Sequence, residues 1–260
     1  MRNLSLLAAT AVAVLVFTAC DPNNGGNENG RTQYPSTADV IRNAVKDVDG
    51  NKYDAVRIGD QVWMASNLKT THYADGTAIP QGTTISETTA YRYCPDNNPQ
   101  TVDKYGYLYN WSAVMHDQAS SEANPSGVQG ICPKGWHVPS DAEWEELEEH
   151  VSSQSAYRCD GDEFYIAKAL ASKDGWEYDD DDCTVGNNSS ANNATGFSAV
   201  PAGGYDSNDY YGFGYYAYFW SATQSTSNYV CYRLLYKGRA DVICGSNDKD
   251  YGYSVRCLRD

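Results

Sequence analysis

The stretch from Gly130 to Val151, GICPKGWHVPSDAEWEELEEHV, constrains this chain more than any other. Cys132-Pro133 and Lys134-Gly135 are turn chemistry leading into Trp136, His137 and Val138. Ser140 then stands where its hydroxyl can cap a helix, and Glu143, three residues on, completes a capping box. Trp144, Leu147 and Val151 recur at helical spacing, so one apolar stripe faces a core while the glutamates face water. A helix from Ser140 to about Ser152 follows, and a second is expected from about Glu163 to Ser172.

The rest reads as short strands and long loops. The chain has 22 Tyr against 5 Phe, with 22 Gly, a composition that suits a pleated, half-buried surface more than helices. Asp49-Gly50 is a tight-turn pair between Val48 and Tyr53. Gly59-Asp60 joins Ala55-Val56-Arg57-Ile58 to Gln61-Val62-Trp63-Met64 as a second hairpin. Tyr105 to Trp111, YGYLYNW, puts Tyr105, Tyr107, Tyr109 and Trp111 on one face at period two. Lys237-Gly238 reads as a two-residue hairpin turn. Tyr236 then opposes Arg239, and Cys231 faces Cys244 in a non-hydrogen-bonded pair, where side chains come closest. A disulfide there would add roughly 3 kcal/mol in the chain-entropy model. The alternative is two unbridged thiols.

Residues 1–20 read as an export segment, with Arg2 followed by the apolar run Leu4 to Phe17, too short for a comfortable membrane span. Phe17-Thr18-Ala19-Cys20 resembles a bacterial lipobox in which Cys20 is lipidated, although Leu is commoner where Phe17 stands. The alternative is an ordinary signal peptide cut nearby. Residues 21–43 open on DPNNGGNENG, which has nothing apolar to bury, and read as a flexible tether. Residues 44–260 then form one domain. A net charge of −15 argues against nucleic acid, whose phosphates would be repelled. Seven cysteines besides Cys20 lie in an exported chain, where disulfides persist. By proximity Cys159 pairs with Cys183 and Cys132 with Cys257, leaving Cys94 over, though spacing alone does not fix connectivity. No CxxC spacing occurs and only four His are present, so no zinc site is expected.

Six stretches together resemble one family. They are DVDGNKYDAVRIGDQVWMASNLKT (47–70), YGYLYNWSAV (105–114), GICPKGWHVPSDAEWEEL (130–147), TGFSAVPAGGY (195–205), AYFWSAT (217–223) and YGYSVRCLRD (251–260). In this order they resemble the Fibrobacter succinogenes major paralogous domain, found in lipoproteins of Fibrobacter and Bacteroidetes. That family is similar to the C-type lectin-like group, which also holds relatives of the formylglycine-generating enzyme. Val138 to Trp144 and Gly252 to Arg256 occupy the places of two motifs that recur in the wider group. The resemblance implies an α+β, C-type lectin-like domain with a twisted antiparallel sheet, two short helices and long irregular loops. It carries over no biochemical activity.

Candidate sites are few. Asp47, Asp49 and Asn51 resemble the start of a calcium loop, but Lys52 and Ile58 stand where such a loop needs Gly and Glu, so a turn is expected. The acidic run Asp179 to Asp182 reads as a solvated loop. The four His have no partner Ser or Cys at recognisable spacing. No cofactor, metal or catalytic residue is assigned. Between Tyr205 and Trp220, aromatics alternate with Gly, Asn, Asp and Ser, chemistry that can stack on a sugar or a protein and bond its polar groups. Tyr205, Asp206, Asn208, Tyr210, Tyr211 and Phe213 are therefore the candidate ligand residues, with Tyr215 to Trp220 assigned to the core. The expected function is a lipid-anchored, outer-membrane or cell-surface protein binding a glycan or protein. The alternatives are an enzyme of the formylglycine-generating type and a structural subunit of a surface assembly.

Overall fold

The computed structural model describes residues 38–260. The export segment, Cys20 and the tether up to residue 37 lie outside the described residues. In chain order the strands and helices are β1 (Asp39–Lys46), β2 (Lys52–Ile58), β3 (Gln61–Met64), β4 (Arg92–Tyr93), α1 (Val102–Tyr105), β5 (Leu108–Tyr109) and α2 (Trp111–Met115). There follow β6 (Trp136–His137), α3 (Asp141–Ser153), α4 (Ala167–Leu170), β7 (Gly204–Asp206) and β8 (Asp209–Tyr211). The last are β9 (Tyr216–Gln224), β10 (Tyr229–Tyr236), β11 (Ile243–Asp248) and β12 (Leu258–Arg259). One sheet has the order β1-β2-β3-β12-β6 and a second β11-β10-β9, with β4-β5 and β7-β8 as separate pairs. Every strand pair is antiparallel. This is an α+β fold of small sheets and short helices.

Alternation along the strands divides the interior into two layers, because successive side chains leave opposite faces. Tyr53, Ala55, Val62, Met64, Trp220 and Val230 enter one cluster. Val56, Ile58, Trp63, Phe219 and Leu235 enter the other, together with Trp144, Leu147 and Val151 of α3. The α3 capping box is complete: Ser140 Oγ accepts from Glu143 N, and Glu143 Oε2 accepts from Ser140 N at 2.9 Å. No helix among the described residues is long and apolar enough to cross a membrane.

The β2–β3 hairpin turns at Gly59, with φ +61° and Ile58 opposite Gln61, as its dipeptide predicts. The tether boundary does not hold as drawn. β1 takes in residues 39–43, the end of the assigned tether, because Val40 and Ile41 pack against the two clusters and Asp54 binds Arg42 and the Asn43 amide. The second helix shrinks to the single turn of α4. Upstream of it, Cys159 N bonds Tyr165 O and Asp162 Oδ1 accepts from Phe164 N, so this backbone is used in turns. YGYLYNW is not a continuous strand: Tyr105 ends α1, Gly106 adopts φ +73°, and Asn110 caps α2. The Asn110 amide also ties the 86–91 segment, donating to Ser86 O and Thr89 O.

Two disulfides join Cys132 to Cys257 and Cys159 to Cys183, while Cys94, Cys231 and Cys244 are free. The proposed Cys231–Cys244 bridge is therefore corrected. The turn at Lys237-Gly238 forms, with Arg239 N donating to Tyr236 O. The chain beyond it leaves the ladder, because the carbonyls of Lys237, Arg239 and Ala240 accept from the amides of Gly186, Val185 and Ala167. That detour takes up two residues, so Cys231 faces Ser246 and Cys244 faces Arg233. A two-residue slip keeps side chains on their face but leaves the two cysteines diagonal, with Cα atoms roughly 7–8 Å apart, beyond the usual span of a disulfide. Arg233 Nη1 donates to Cys244 Sγ at 3.1 Å. Non-reducing peptide mapping is expected to recover linked 132–257 and 159–183 peptides, with Cys231 and Cys244 both free to alkylate. A linked 231–244 peptide would contradict this register.

Candidate functional site

The tyrosine-rich segment after Gly203 folds as a hairpin because its turn chemistry demands one. Ser207 and Asn208 both take positive φ, 41° and 66°, in the two-residue loop between β7 and β8. The Asn208 side-chain oxygen accepts from Ile85 N at 2.9 Å, which anchors the tip. Tyr205 is only 2 % exposed and stacks on Tyr93 with ring centroids 4.0 Å apart. It is a packing residue rather than a contact surface. Asp206 faces Asp209 across the hairpin, and partial burial followed by that neighbouring charge pushes its carboxyl up.

Beyond the hairpin the chain shapes a cleft of about 440 Å³, lined by Asp96, Tyr210, Tyr211, Gly212, Phe213, Tyr215 and Tyr216. That volume falls in the range of small-ligand sites. Gly212 makes it possible: at φ +65°, a Cβ there would lie 2.1 Å from the Tyr216 ring. Tyr216 in turn stacks on Tyr236 at 4.9 Å, Phe213 leans on Tyr105 at 4.6 Å, and Tyr210 tilts against Tyr205 at 4.7 Å. The Tyr211 hydroxyl donates to Tyr253 Oη at 3.1 Å, which also accepts from Asn247 Nδ2 at 2.6 Å. Burial pushes the Tyr210 phenol up to about 12, so it stays a neutral donor at physiological pH. The walls are thus rigid rings backed by other rings.

Of the six sequence-derived candidates, the structure brings Tyr210, Tyr211 and Phe213 together at the cleft and leaves Tyr205, Asp206 and Asn208 outside its lining. Tyr215, assigned to the core, is 42 % exposed and lines the cleft with Tyr216. Gly212 and Gly214 both take positive φ just before β9, whose first residue is Tyr216, and Tyr215 precedes the strand. Asp96 comes from a turn more than a hundred residues away, and no local pattern ties it to this site.

The other chemistry-bearing groups are committed elsewhere. Asp47 accepts from Asn51 N, Asn51 Nδ2 and the Tyr53 hydroxyl, so it closes a turn. Asp49 holds Thr70, Thr71 and His72. Asp179 pairs with Lys237 at 3.1 Å. Among the described residues the one group of three side chains within reach of a common ion is Cys159, Asp160 and Cys183, and both sulfurs belong to a disulfide. Burial, then Asp141 and Cys244, push the Cys231 thiol up to about 11. Cys94 and Cys244 are raised by burial too. Raised thiols carry little thiolate, which is the reactive form.

His137 is buried between two carboxylates, with Nε2 2.7 Å from Glu143 Oε1 and Nδ1 2.7 Å from Asp260 Oδ1. Burial alone would lower its pKa, but Glu143 and then Asp260 outweigh it and raise it above 6.5. The imidazole joins Glu143, in the first turn of α3, to Asp260, the residue after β12.

An α+β domain of small antiparallel sheets, carrying an aromatic cleft beside one hairpin, is the class defined by fold and site. The family model of the Fibrobacter succinogenes major domain matches residues 56–259, and the chain belongs to that family. No curated protein and no solved structure matches the chain. The match begins within β2, so β1 and the first turn precede it.

A raised histidine stabilises the fold fully below its unfolded pKa of about 6.5, and the benefit fades as pH rises through the higher folded value. Thermal unfolding from pH 5.5 to 8.5, in roughly half-unit steps, tests this for the wild type and His137→Gln. The wild type is expected to lose its advantage over the variant as pH rises. A difference constant across the range would show that the imidazole carries no extra proton in the fold.

Proposed function

We propose that this chain is a lipid-anchored cell-envelope protein whose C-type lectin-like domain binds a glycan or protein ligand without catalysis. The observation that carries the reading is the aromatic cleft: four tyrosines and a phenylalanine around a volume suited to a small ligand or a side chain. The hairpin and cleft segment, YDSNDYYGFGYY, has the Tyr, Ser, Gly and Asn composition that serves antibody paratopes, where tyrosines give rigid amphipathic contact at low entropic cost. The lipobox-like Phe17 to Cys20 and the polar segment after it support an anchor that holds the domain away from an outer-membrane or cell-surface bilayer.

An enzymatic reading has less support. The free thiols are raised, His116 and His137 face a stacked ring or carboxylates, and His72 meets Asp49 and the hydroxyl of Thr71, which Asp49 also holds.

The full chain in detergent, applied to glycan and protein arrays, is expected to bind a restricted set of ligands. Tyr215→Ala, at an exposed wall position, should weaken that binding by about tenfold, as loss of an aromatic anchor does. Array binding that the alanine variant retains in full would place the ligand elsewhere, and no binding at all would remove the reading.

A further inference from the structure

The cleft joins ring faces to a single carboxylate. Among the described residues Asp96 makes no hydrogen bond or ion pair, and its side chain is exposed at the cleft. Its backbone sits at φ +54°, fixed in the turn that follows Cys94. Tyr210, Tyr211, Phe213, Tyr215 and Tyr216 line the same cleft. Ring faces carry negative potential, and a carboxylate beside them adds a full charge, so together they favour a cation that sheds water easily.

The molecule already uses this chemistry internally. Lys237 Nζ lies 5.5 Å from the Tyr215 ring centroid, Lys104 Nζ 5.2 Å from Tyr105, and Lys249 Nζ 5.2 Å from Trp111. Lys237, which lies over the Tyr215 ring, is paired with Asp179 at 3.1 Å and donates to Tyr178 O, which offsets its opposition to a second positive charge. Asp206 lies close enough to Tyr211 to push its phenol up further, after burial. The chain's net charge of −15 favours approach of cations over anions.

We propose that this cleft binds an alkylammonium group, seated against the tyrosine faces and paired with Asp96. The inference rests on the cleft being the ligand site. It narrows the ligand to one that presents a quaternary or primary ammonium, as a choline headgroup or a lysine side chain does. Uronic, sulfated or phosphorylated glycans are disfavoured by the same carboxylate.

The test is an NMR titration of the full chain in detergent at low salt. The probes are choline, its uncharged carbon isostere dimethylbutanol, acetyl-lysine methylamide and a neutral glucan oligosaccharide. Choline or the lysine amide should bind at least about tenfold more tightly than dimethylbutanol and perturb Tyr215 and Tyr216 signals. Asp96→Asn keeps the shape and tolerates the positive φ, so it should erase most of that preference while leaving the unbound spectrum unchanged. Whichever cation is tighter identifies the source of the ammonium. Equal binding of choline and dimethylbutanol would overturn the inference, as would a preference that survives Asp96→Asn. If the neutral oligosaccharide alone perturbs the cleft tyrosines, the inference falls and the binding reading stands. If no probe perturbs them, the inference falls, and failure of the arrays as well would remove the reading beneath it.

Discussion

The guanidinium of Arg256 is the interaction on which the rest of the structure depends. It is fully buried, its charge lying 4.5 Å from the Phe197 ring and 5.5 Å from Phe219. Its Nε donates to Asn67 Oδ1 at 2.7 Å, Nη1 to Met64 O and Phe197 O, and Nη2 to Ser198 O at 2.7 Å. Taking such a charge out of water costs several kcal/mol unless its donors are met. Here carbonyl dipoles meet the planar fork and two rings cover it, an arrangement a lysine could not reproduce. Asn67 passes the constraint on by donating to Tyr105 O and Ser254 Oγ. Phe213 of the cleft packs on Tyr105. The cleft wall and the core hub are thus joined through two residues, Asn67 and Tyr105.

The surrounding segments close over this hub. Cys257, next to Arg256, is bridged to Cys132, which closes a separation of 125 residues. A loop of that order adds roughly 4–5 kcal/mol in the chain-entropy model. Arg233 plays a matching part across the second sheet: buried on β10, it reaches Asp141 and Glu148 of α3. Burial would lower its pKa, but those two carboxylates outweigh it and hold the charge. The first half of one helix is thereby fastened twice, by His137 on Glu143 and by Arg233 on Asp141 and Glu148. The two-layer interior follows from strand alternation, and these buried charges fix how the layers register.

Much of this was legible in the residues where chemistry is local. The capping box at Ser140 and Glu143, the Gly59 turn and the apolar stripe of α3 each need only a few neighbours, and each forms as read. Pairings that depend on distant partners were harder to read. The β10–β11 register slips because the amides of residues 167, 185 and 186 capture carbonyls just past the turn, which nothing near Lys237-Gly238 announces. β1 was hidden within a polar tether because its apolar residues are sparse and half-buried. For the cleft, tyrosine density drew attention to a segment that lines it, and three of the six named residues do so. Asp96 was invisible, since only tertiary structure brings it there. Arg256 was visible as a motif position, but not as a buried hub.

Function follows from what this framework leaves free. His72, His116, His137 and most of the notable acids are engaged in turns, caps, ring stacking and ion pairs, and the free thiols are raised, while rings around Gly212 line the cleft. Arg256 holds the end of β3, the 197–198 segment and the C-terminal stretch together. Equilibrium urea unfolding of Arg256→Leu, with hydrogen exchange read segment by segment, tests it most directly. Leucine leaves the carbonyls of Met64, Phe197 and Ser198 buried without donors, so the account predicts a loss of more than about 3 kcal/mol. Protection should fall together near residues 64–68, 197–199 and 254–258. A leucine variant within about 0.5 kcal/mol of wild type, with protection unchanged in those segments, would contradict it.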